Sequence, residues 1–488
     1  MATLQSASLT FADIVAYNKH PFSCKVGVLQ KLLELLYLLI KRRLFVSVPE
    51  NANFSNAAST ENRETVTSPD NFSISDINVM EKQLVYSIHQ IAQRTTEKRG
   101  IVLPLFNAIA SLGLSLILEL RVMGVNLPIE VPHCGDLDER LQRIVLGKEE
   151  MGVIRFYDVC KLAAKAVSFK DSSRQVFCEN LYSCHRTFRS FSIKVLAVTY
   201  SQFGELMLLD ADTIFFESPM SLWDTEKYGK TGTLFFHDRL SQDEMYLGKR
   251  IDNKMAVSQL NQYISHFDVS PFAPLSHIER PKATSKNKIP VKLNKYSPSE
   301  HLLSSHSWNQ RAGHEMDSSL VLWNKKRQPR ATAMLAAFVA LNHINWPPSY
   351  GEKELFFIAA ELAETQYAFS DFGVGSVGWD FRDYGPGMSV LCGHAAHFYP
   401  VKPADGSAVG NTSVLYLNSD AILTYDPKNK PVYYSQARLY EVYPGSFEER
   451  NLAQECPFNI TGVRFSSKQE DHILLRQRFH EIAKAWIE

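Results

Sequence analysis

From Leu206 to Leu209 the chain sets four apolar residues in a row, and aspartates follow at positions 210 and 212. A short unbroken apolar run predicts a strand buried on both faces, ending where the carboxylates begin. Upstream, RGIVLPLF (99–106) predicts a first strand, NAIASLGLSLILELRVMG (107–124) a helix closing near Gly124, and LPIEVPH (127–133) a second strand. GVIRFYDV (152–159) predicts a third strand and SFSIKVLAVTYSQF (190–203) a helix leading into the buried run. Downstream, HEMDSSLVLWNKKR (314–327) carries a strand over Leu320–Trp323, and two apolar-periodic helices follow in RATAMLAAFVALNHI (330–344) and KELFFIAAELAETQ (353–366).

This alternation predicts an α/β fold with a largely parallel, doubly wound sheet flanked by helices, whose ligands gather at the carboxyl ends of the strands. Asp210 and Asp212 sit at such an end. Polar, basic sequence from Leu240 to Arg311 reads as a long excursion, and GVGSVGWDFRDYGPG (373–387) as a glycine-rich loop. Residues 46–76, rich in Asn, Ser, Thr and Glu, suit a stem. The expected organisation is an N-terminal segment over 1–92, a catalytic domain over 93–400, and an extension over 401–488 packed on it.

Composition narrows the function classes. Fifty-two basic residues balance fifty-two acidic ones, so no bulk field argues for nucleic acid or an anionic surface. Seven cysteines show no zinc-like spacing, and their pairing stays open. Sequons at Asn53, Asn71, Asn411 and Asn459 are compatible with a secretory lumen, although such triplets also arise by chance. The leucine-rich VGVLQKLLELLYLLIKRRLF (26–45) reads either as a surface helix or as a poorly formed membrane anchor: Lys31 and Glu34 interrupt it, and its basic cluster lies on the far side.

If the segment at Asp210 is extended, its two carboxylates point the same way and repel. An oxygen-ligated divalent cation, Mg²⁺ or Mn²⁺, resolves that conflict and also grips substrate phosphates. A turn with an Asp cap is the structural alternative. A second triplet, Asp136-Leu137-Asp138, opens DLDERLQRIV, where a helix cap and a first-turn acid account for both residues.

In order, SIKVLAVTYSQFGELMLLDADTIFFESPMSLWD, YGKTGTLFFHDR, HEMDSSLVLWNKK, YGEKELFFIA and LCGHAAHFYP resemble the fungal α-mannosyltransferases of glycosyltransferase family 71. The resemblance spans about Arg99 to Pro400. It implies a GT-A nucleotide-diphospho-sugar transferase fold, GDP-mannose as donor, a mannoside or glycan acceptor, Mn²⁺ (or Mg²⁺), and retention of configuration. It also implies a Golgi membrane location with a lumenal catalytic domain, serving protein glycosylation or wall mannan. The family's DSG stands here as Asp317-Ser318-Ser319 and its GDKE as Gly351-Glu352-Lys353-Glu354; Ser319 for glycine is expected to narrow the pocket.

The resemblance marks His397 as a third metal ligand, His394 sharing its metal-like spacing, although both also fit loop or core histidines. Glu315 and Asp317 correspond to the acidic motif near the sugar and, with Glu352, form the candidate catalytic set; Glu352 and Glu354 otherwise read as helix-opening acids. Lys194, Asp238 and Arg239 join Asp210 and Asp212 as candidate donor-binding residues, with Lys194 equally readable as a solvated helix residue. The alternatives are the same fold with a UDP-sugar donor, or a haloacid-dehalogenase-type phosphatase. The latter wants Thr or Val where Ile214 stands.

Overall fold

A computed structural model describes residues 82–240, 246–252, 257–284, 293, 296–341, 346–380, 391–404, 408–425, 428, 430–442 and 461–488. The leucine-rich stretch, the stem, residues 381–387 of the glycine-rich loop, and the sequons at Asn53, Asn71 and Asn459 lie outside them. Asn411 is exposed. Among the described residues no helix is long and apolar enough to cross a membrane.

The chain begins with α1 (Lys82–Ala92), then β1 (Glu97–Val102), α2 (Ala110–Val122), β2 (Ile129–His133), α3 (Glu139–Leu146) and β3 (Ile154–Asp158). Three helices follow, α4 (Val159–Ala164), α5 (Leu181–Phe188) and α6 (Ile193–Tyr200), before β4 (Phe203–Leu209) and β5 (Thr213–Phe215). Next come α7 (Glu226–Thr231), β6 (Thr233–His237), β7 (Arg250–Asp252), β8 (Val257–Ser258), α8 (Gln259–His266) and α9 (Glu300–Ser304). The expected excursion after Leu240 thus carries a hairpin and two helices among its described residues. Then β9 (Met316–Asn324), α10 (Pro329–Ala337) and α11 (Leu355–Leu362) precede β10 (Gly375–Asp380), β11 (Leu391–Phe398), β12 (Val414–Asn418), β13 (Tyr433–Ser435), β14 (Gly462–Arg464) and α12 (Ser467–Ile487). Residues 375–380, read from sequence as loop, are strand, because their backbone pairs on both sides, with β11 and β13.

The main sheet runs β3-β2-β1-β4-β9-β6. β1, β2, β3 and β4 pair in parallel, whereas β9 is antiparallel to both β4 and β6. Along β4, Leu206 and Leu208 enter a core that includes residues of α1, α6, α10 and α11, while Met207 and Leu209 enter the opposite core with α2. A strand covered on both faces has no polar side to show, which is why its sequence is continuously apolar. Each such leucine contributes roughly 1.5–3 kcal/mol by burial. Since α1 supplies Leu84, Val85 and Ile88 to this core, the packed body includes residues assigned from sequence to the N-terminal segment.

A second sheet, order β14-β13-β10-β11-β12-β5, is antiparallel throughout and was not foreseen. Its edge strand β5 follows β4 after three residues, so the Asp210–Asp212 segment is the crossing from one sheet to the other. Disulfides join Cys134 to Cys160 and Cys178 to Cys184, tying the end of β2 to α4 and the approach to α5 to its first turns.

Candidate active site

At the end of β4 the chain turns: the Thr213 N–H donates to the Asp210 carbonyl at 3.3 Å. The sequence reading has the two aspartates side by side on extended backbone. The turn replaces that geometry, yet both residues line one cavity of about 480 Å³. The turn is held on two sides. Asp210 N–H donates to Ser319 O on β9 at 2.9 Å, while Arg476 of α12 donates to the carbonyls of Ala211 at 3.2 Å and Thr213 at 3.5 Å. Arg476 is fully buried and paired with Glu119 of α2 at 3.1 Å, so its charge is compensated.

Lys194, in the first turn of α6, points inward. Its Nζ lies 2.6 Å from Asp210, 2.9 Å from Glu352 and 3.1 Å from Ser318 Oγ. Burial works against its charge, but the two carboxylates outweigh burial and hold the ammonium above its ordinary range. Burial raises the Asp210 carboxyl, an effect Lys194 offsets in part. Asp212 has no comparable cation: burial first, then the charge of Asp210, pushes it up to about 7. With its amide nitrogen turned inward, Asn418 at the end of β12 donates to both Asp212 oxygens, at 2.8 and 3.0 Å. Asp420 lines the same cavity.

These residues fit a hard divalent cation. The donors are all carboxylate oxygens and carry more negative charge than Lys194 neutralises. Mg²⁺ and Mn²⁺ are commonly held by one or two carboxylates plus substrate phosphates. Among the described residues no group of three or more His, Cys, Asp or Glu is gathered for a metal.

His397, which the resemblance marks as a third metal ligand, is not among the cavity's lining residues. Its ring stacks on Tyr416 with centroids 4.6 Å apart, and its Nε2 lies 2.7 Å from Asp317 Oδ2. Ser319 donates to Asp317 from its N–H at 2.9 Å and its Oγ at 3.0 Å. Burial acts to raise the Asp317 carboxyl, but these donors and His397 hold it well below the usual carboxylate range. Ser319 is fully buried, does not line the cavity, and also meets Tyr416 OH at 3.1 Å. It buttresses Asp317, and the expected narrowing of the pocket by Ser319 does not occur.

Glu315 is 1% exposed and outside the cavity lining. It accepts from Tyr440 OH and from Ser307 Oγ at 3.1 Å. Burial, opposed by Tyr440, pushes it up to about 7. His237 and His301 approach it at 3.9 and 3.7 Å, but burial keeps both imidazoles below their ordinary values, so these contacts are not ion pairs at neutral pH.

One short segment stitches these parts together. Gly351 adopts φ +71°, a left-handed conformation that suits glycine. Next to it, Glu352 holds Lys194 and accepts from Ser318 Oγ at 3.0 Å. Lys353 pairs with Asp238, while Glu354 accepts from the N–H groups of Glu315 and Met316 at 3.0 and 3.3 Å. Reading Glu352 and Glu354 as helix-opening acids misses this, because both are buried and aimed at other elements. Arg239 donates its backbone N–H to Asp238 at 2.7 Å.

The cavity's lining also includes the apolar Pro104, Leu105, Phe106 and Ile109, together with Asp136 and Arg189, which lie 3.9 Å apart. Asp138 caps α3, accepting from Arg140 N–H at 2.6 Å. Asp136 instead accepts from Cys134 N–H at 2.9 Å and lines the cavity, so capping accounts for only one acid of that triplet. Asp136, Asn418, Asp420 and Arg476 escaped the sequence reading. Only Asp136 left a signal, standing two positions ahead of the cap, where a helix has no use for it.

Residues 98–384 match a protein-family model described as "Mannosyltransferase putative". Among curated relatives, "Putative alpha-1,3-mannosyltransferase MNN1" of Candida albicans is 27% identical over 296 residues, covering 57% of this chain and 33% of that protein. "Alpha-1,3-mannosyltransferase MNN1" of Saccharomyces cerevisiae is 23% identical over 295 residues, covering 57% of this chain and 35% of that protein. The chain therefore spans about a third of the length of these relatives. Among solved structures, the bifunctional glycosyltransferase WbbM in its apo form aligns with TM-score 0.28 and 10% identity, covering 56% of this chain and 38% of that chain, too loose a likeness to support any conclusion.

Proposed function

Because the chain belongs to the fungal-type α-mannosyltransferase family, we propose that it transfers mannose from GDP-mannose to a mannoside or glycan acceptor with a divalent cation, Mn²⁺ or Mg²⁺. The observation that carries this reading is the Asp210–Asp212 turn beside Lys194 at the mouth of β4, opening on the 480 Å³ cavity. Asp210 and Asp212 would hold the cation. When bound, it supplies positive charge against the leaving diphosphate. Asn418 orients Asp212 for that role, and Lys194 fixes Asp210 while adding an ammonium to the field felt by the phosphates.

The apolar wall at Pro104–Phe106 suits a nucleobase. Asp136 offers a carboxylate to the paired N–H donors along the edge of guanine, whereas uracil presents a single ring N–H. That favours a GDP-sugar over a UDP-sugar. Asp317, held ionised by His397 and Ser319 and not among the cavity's lining residues, has little affinity for a proton at neutral pH, which argues against its acting as a base. The two disulfides support a lumenal, oxidising location such as the Golgi, where the N-terminal segment would supply the anchor.

The test is a donor screen. With Mn²⁺, the protein is expected to release GDP from GDP-mannose, faster when methyl α-mannoside is added. Turnover of UDP-sugars alone, or of phosphomonoesters, would overturn the mannosyl reading.

A further inference from the structure

We propose that Phe191 and Tyr350 form the platform on which the acceptor glycan stacks; this rests on reading the site as a sugar-transfer centre. Phe191 is 58% exposed and Tyr350 57%. Their ring centroids are 6.3 Å apart. Single exposed apolar residues are ordinary, but two adjacent aromatic rings at the rim of a reactive cavity are not. Phe191 lines the cavity that holds Asp210 and Asp212, whereas Tyr350 stands just outside it. The pair thus extends from the lining of the cavity to an exposed ring beside it.

The support behind the rings is built. The left-handed turn at Gly351 seats its backbone against Phe191, leaving 3.4 Å between the ring and the position a Cβ would occupy. Tyr350 is flanked on one side by Tyr246, with centroids 5.9 Å apart, and on the other by the Lys353 ammonium, 5.9 Å from its ring. Lys353 and its partner Asp238 place a donor and an acceptor beside an aromatic face. A pyranose asks for that combination: its axial C–H face lies against an aromatic ring, and its equatorial hydroxyls reach sideways to charged partners. A nucleobase would not need a second ring outside the cavity.

The experiment uses Tyr350→Ala and Tyr350→Phe, both at an exposed position. With GDP-mannose and Mn²⁺, Tyr350→Ala is expected to raise the KM for methyl α-mannoside about ten-fold while the KM for the donor stays put, and Tyr350→Phe, which keeps the ring, to restore it. Independently of turnover, saturation-transfer NMR with α-linked mannobiose and no donor should show contact with the wild-type protein and lose it in Tyr350→Ala. Contact unchanged in Tyr350→Ala, no contact with the wild type, or a donor KM that rises with the acceptor KM would each overturn the platform. A protein that binds mannobiose through Tyr350 but does not turn over GDP-mannose would keep the platform and overturn the donor assignment instead.

Discussion

Lys194 lies 2.6 Å from Asp210 and 2.9 Å from Glu352, so one ammonium at the start of α6 joins the aspartate turn to the Gly351–Glu354 segment. Removing it strands two carboxylates in a largely dry site. Lys194→Met is expected to cost roughly 3–5 kcal/mol of stability, and Lys194→Met with Glu352→Gln to recover part of that. Urea denaturation of the single and double variants measures both; equal losses in the two would contradict the coupling.

Asp210→Asn and Asp212→Asn keep side-chain size while removing charge from the proposed cation site. Both are expected to remain folded and to lose transfer and Mn²⁺ dependence. Asp138→Asn serves as control, because Asn is as good a helix cap as Asp, so stability and turnover should hardly change. Circular dichroism and GDP release report the two halves of the comparison. Normal transfer by both variants of the pair would remove the basis for a metal there.

Asp136→Asn exchanges a carboxylate acceptor for an amide at the nucleobase end of the cavity. GDP affinity is expected to fall about ten-fold, with UDP affinity little altered. Isothermal titration with each nucleotide decides the matter, and parallel losses for the two would argue that Asp136 does not read the base.

Glu315 is raised by burial from its ordinary 4.5 to about 7, so the folded protein keeps a proton that the unfolded chain releases. Its contribution is absent below pH 4.5, becomes a penalty that grows as pH rises from 4.5 towards 7, and stays at its limit of roughly 3 kcal/mol above that. Glu315→Gln retains an acceptor for Tyr440 and Ser307 without the charge. Its thermal midpoint should therefore exceed that of the wild type at pH 8 and lie close to it at pH 5. The same difference at both pH values would show that Glu315 is not the titrating group.

What could be read from the sequence follows from how local each cause is. β4 was legible because burial on both faces leaves a period-free apolar run, and α2 because its end coincides with Gly124 in a left-handed turn. Asp210 and Asp212 were singled out by their place at a strand end, whereas for Lys194 the helix before it left a solvated residue equally open, and only the fold turns its ammonium onto Asp210 and Glu352. The second sheet was not, since β5 and β12 are nearly two hundred residues apart and each is too short to carry a pattern of its own. For the same reason nothing in the sequence singled out Asn418 and Asp420, which β12 brings to Asp212. The resemblance pointed to His397, but its hydrogen bond to Asp317 depends on which way one strand faces across a sheet that the sequence did not announce.

Arg476 gives the molecule an order of events. It belongs to the last helix of the chain, yet it grips the carbonyls on either side of Asp212, which leave the ribosome more than two hundred and fifty residues earlier. The Ser419 N–H also holds the Asp212 carbonyl, at 3.1 Å, so the turn is complete only when both β12 and α12 have docked. During synthesis, then, the chain passes through a long interval in which every strand of the main sheet has been made but the helix that clamps the carboxylate turn has not. A chain cut just before α12 would keep every strand of both sheets yet leave the carboxylate turn without its Arg476 clamp.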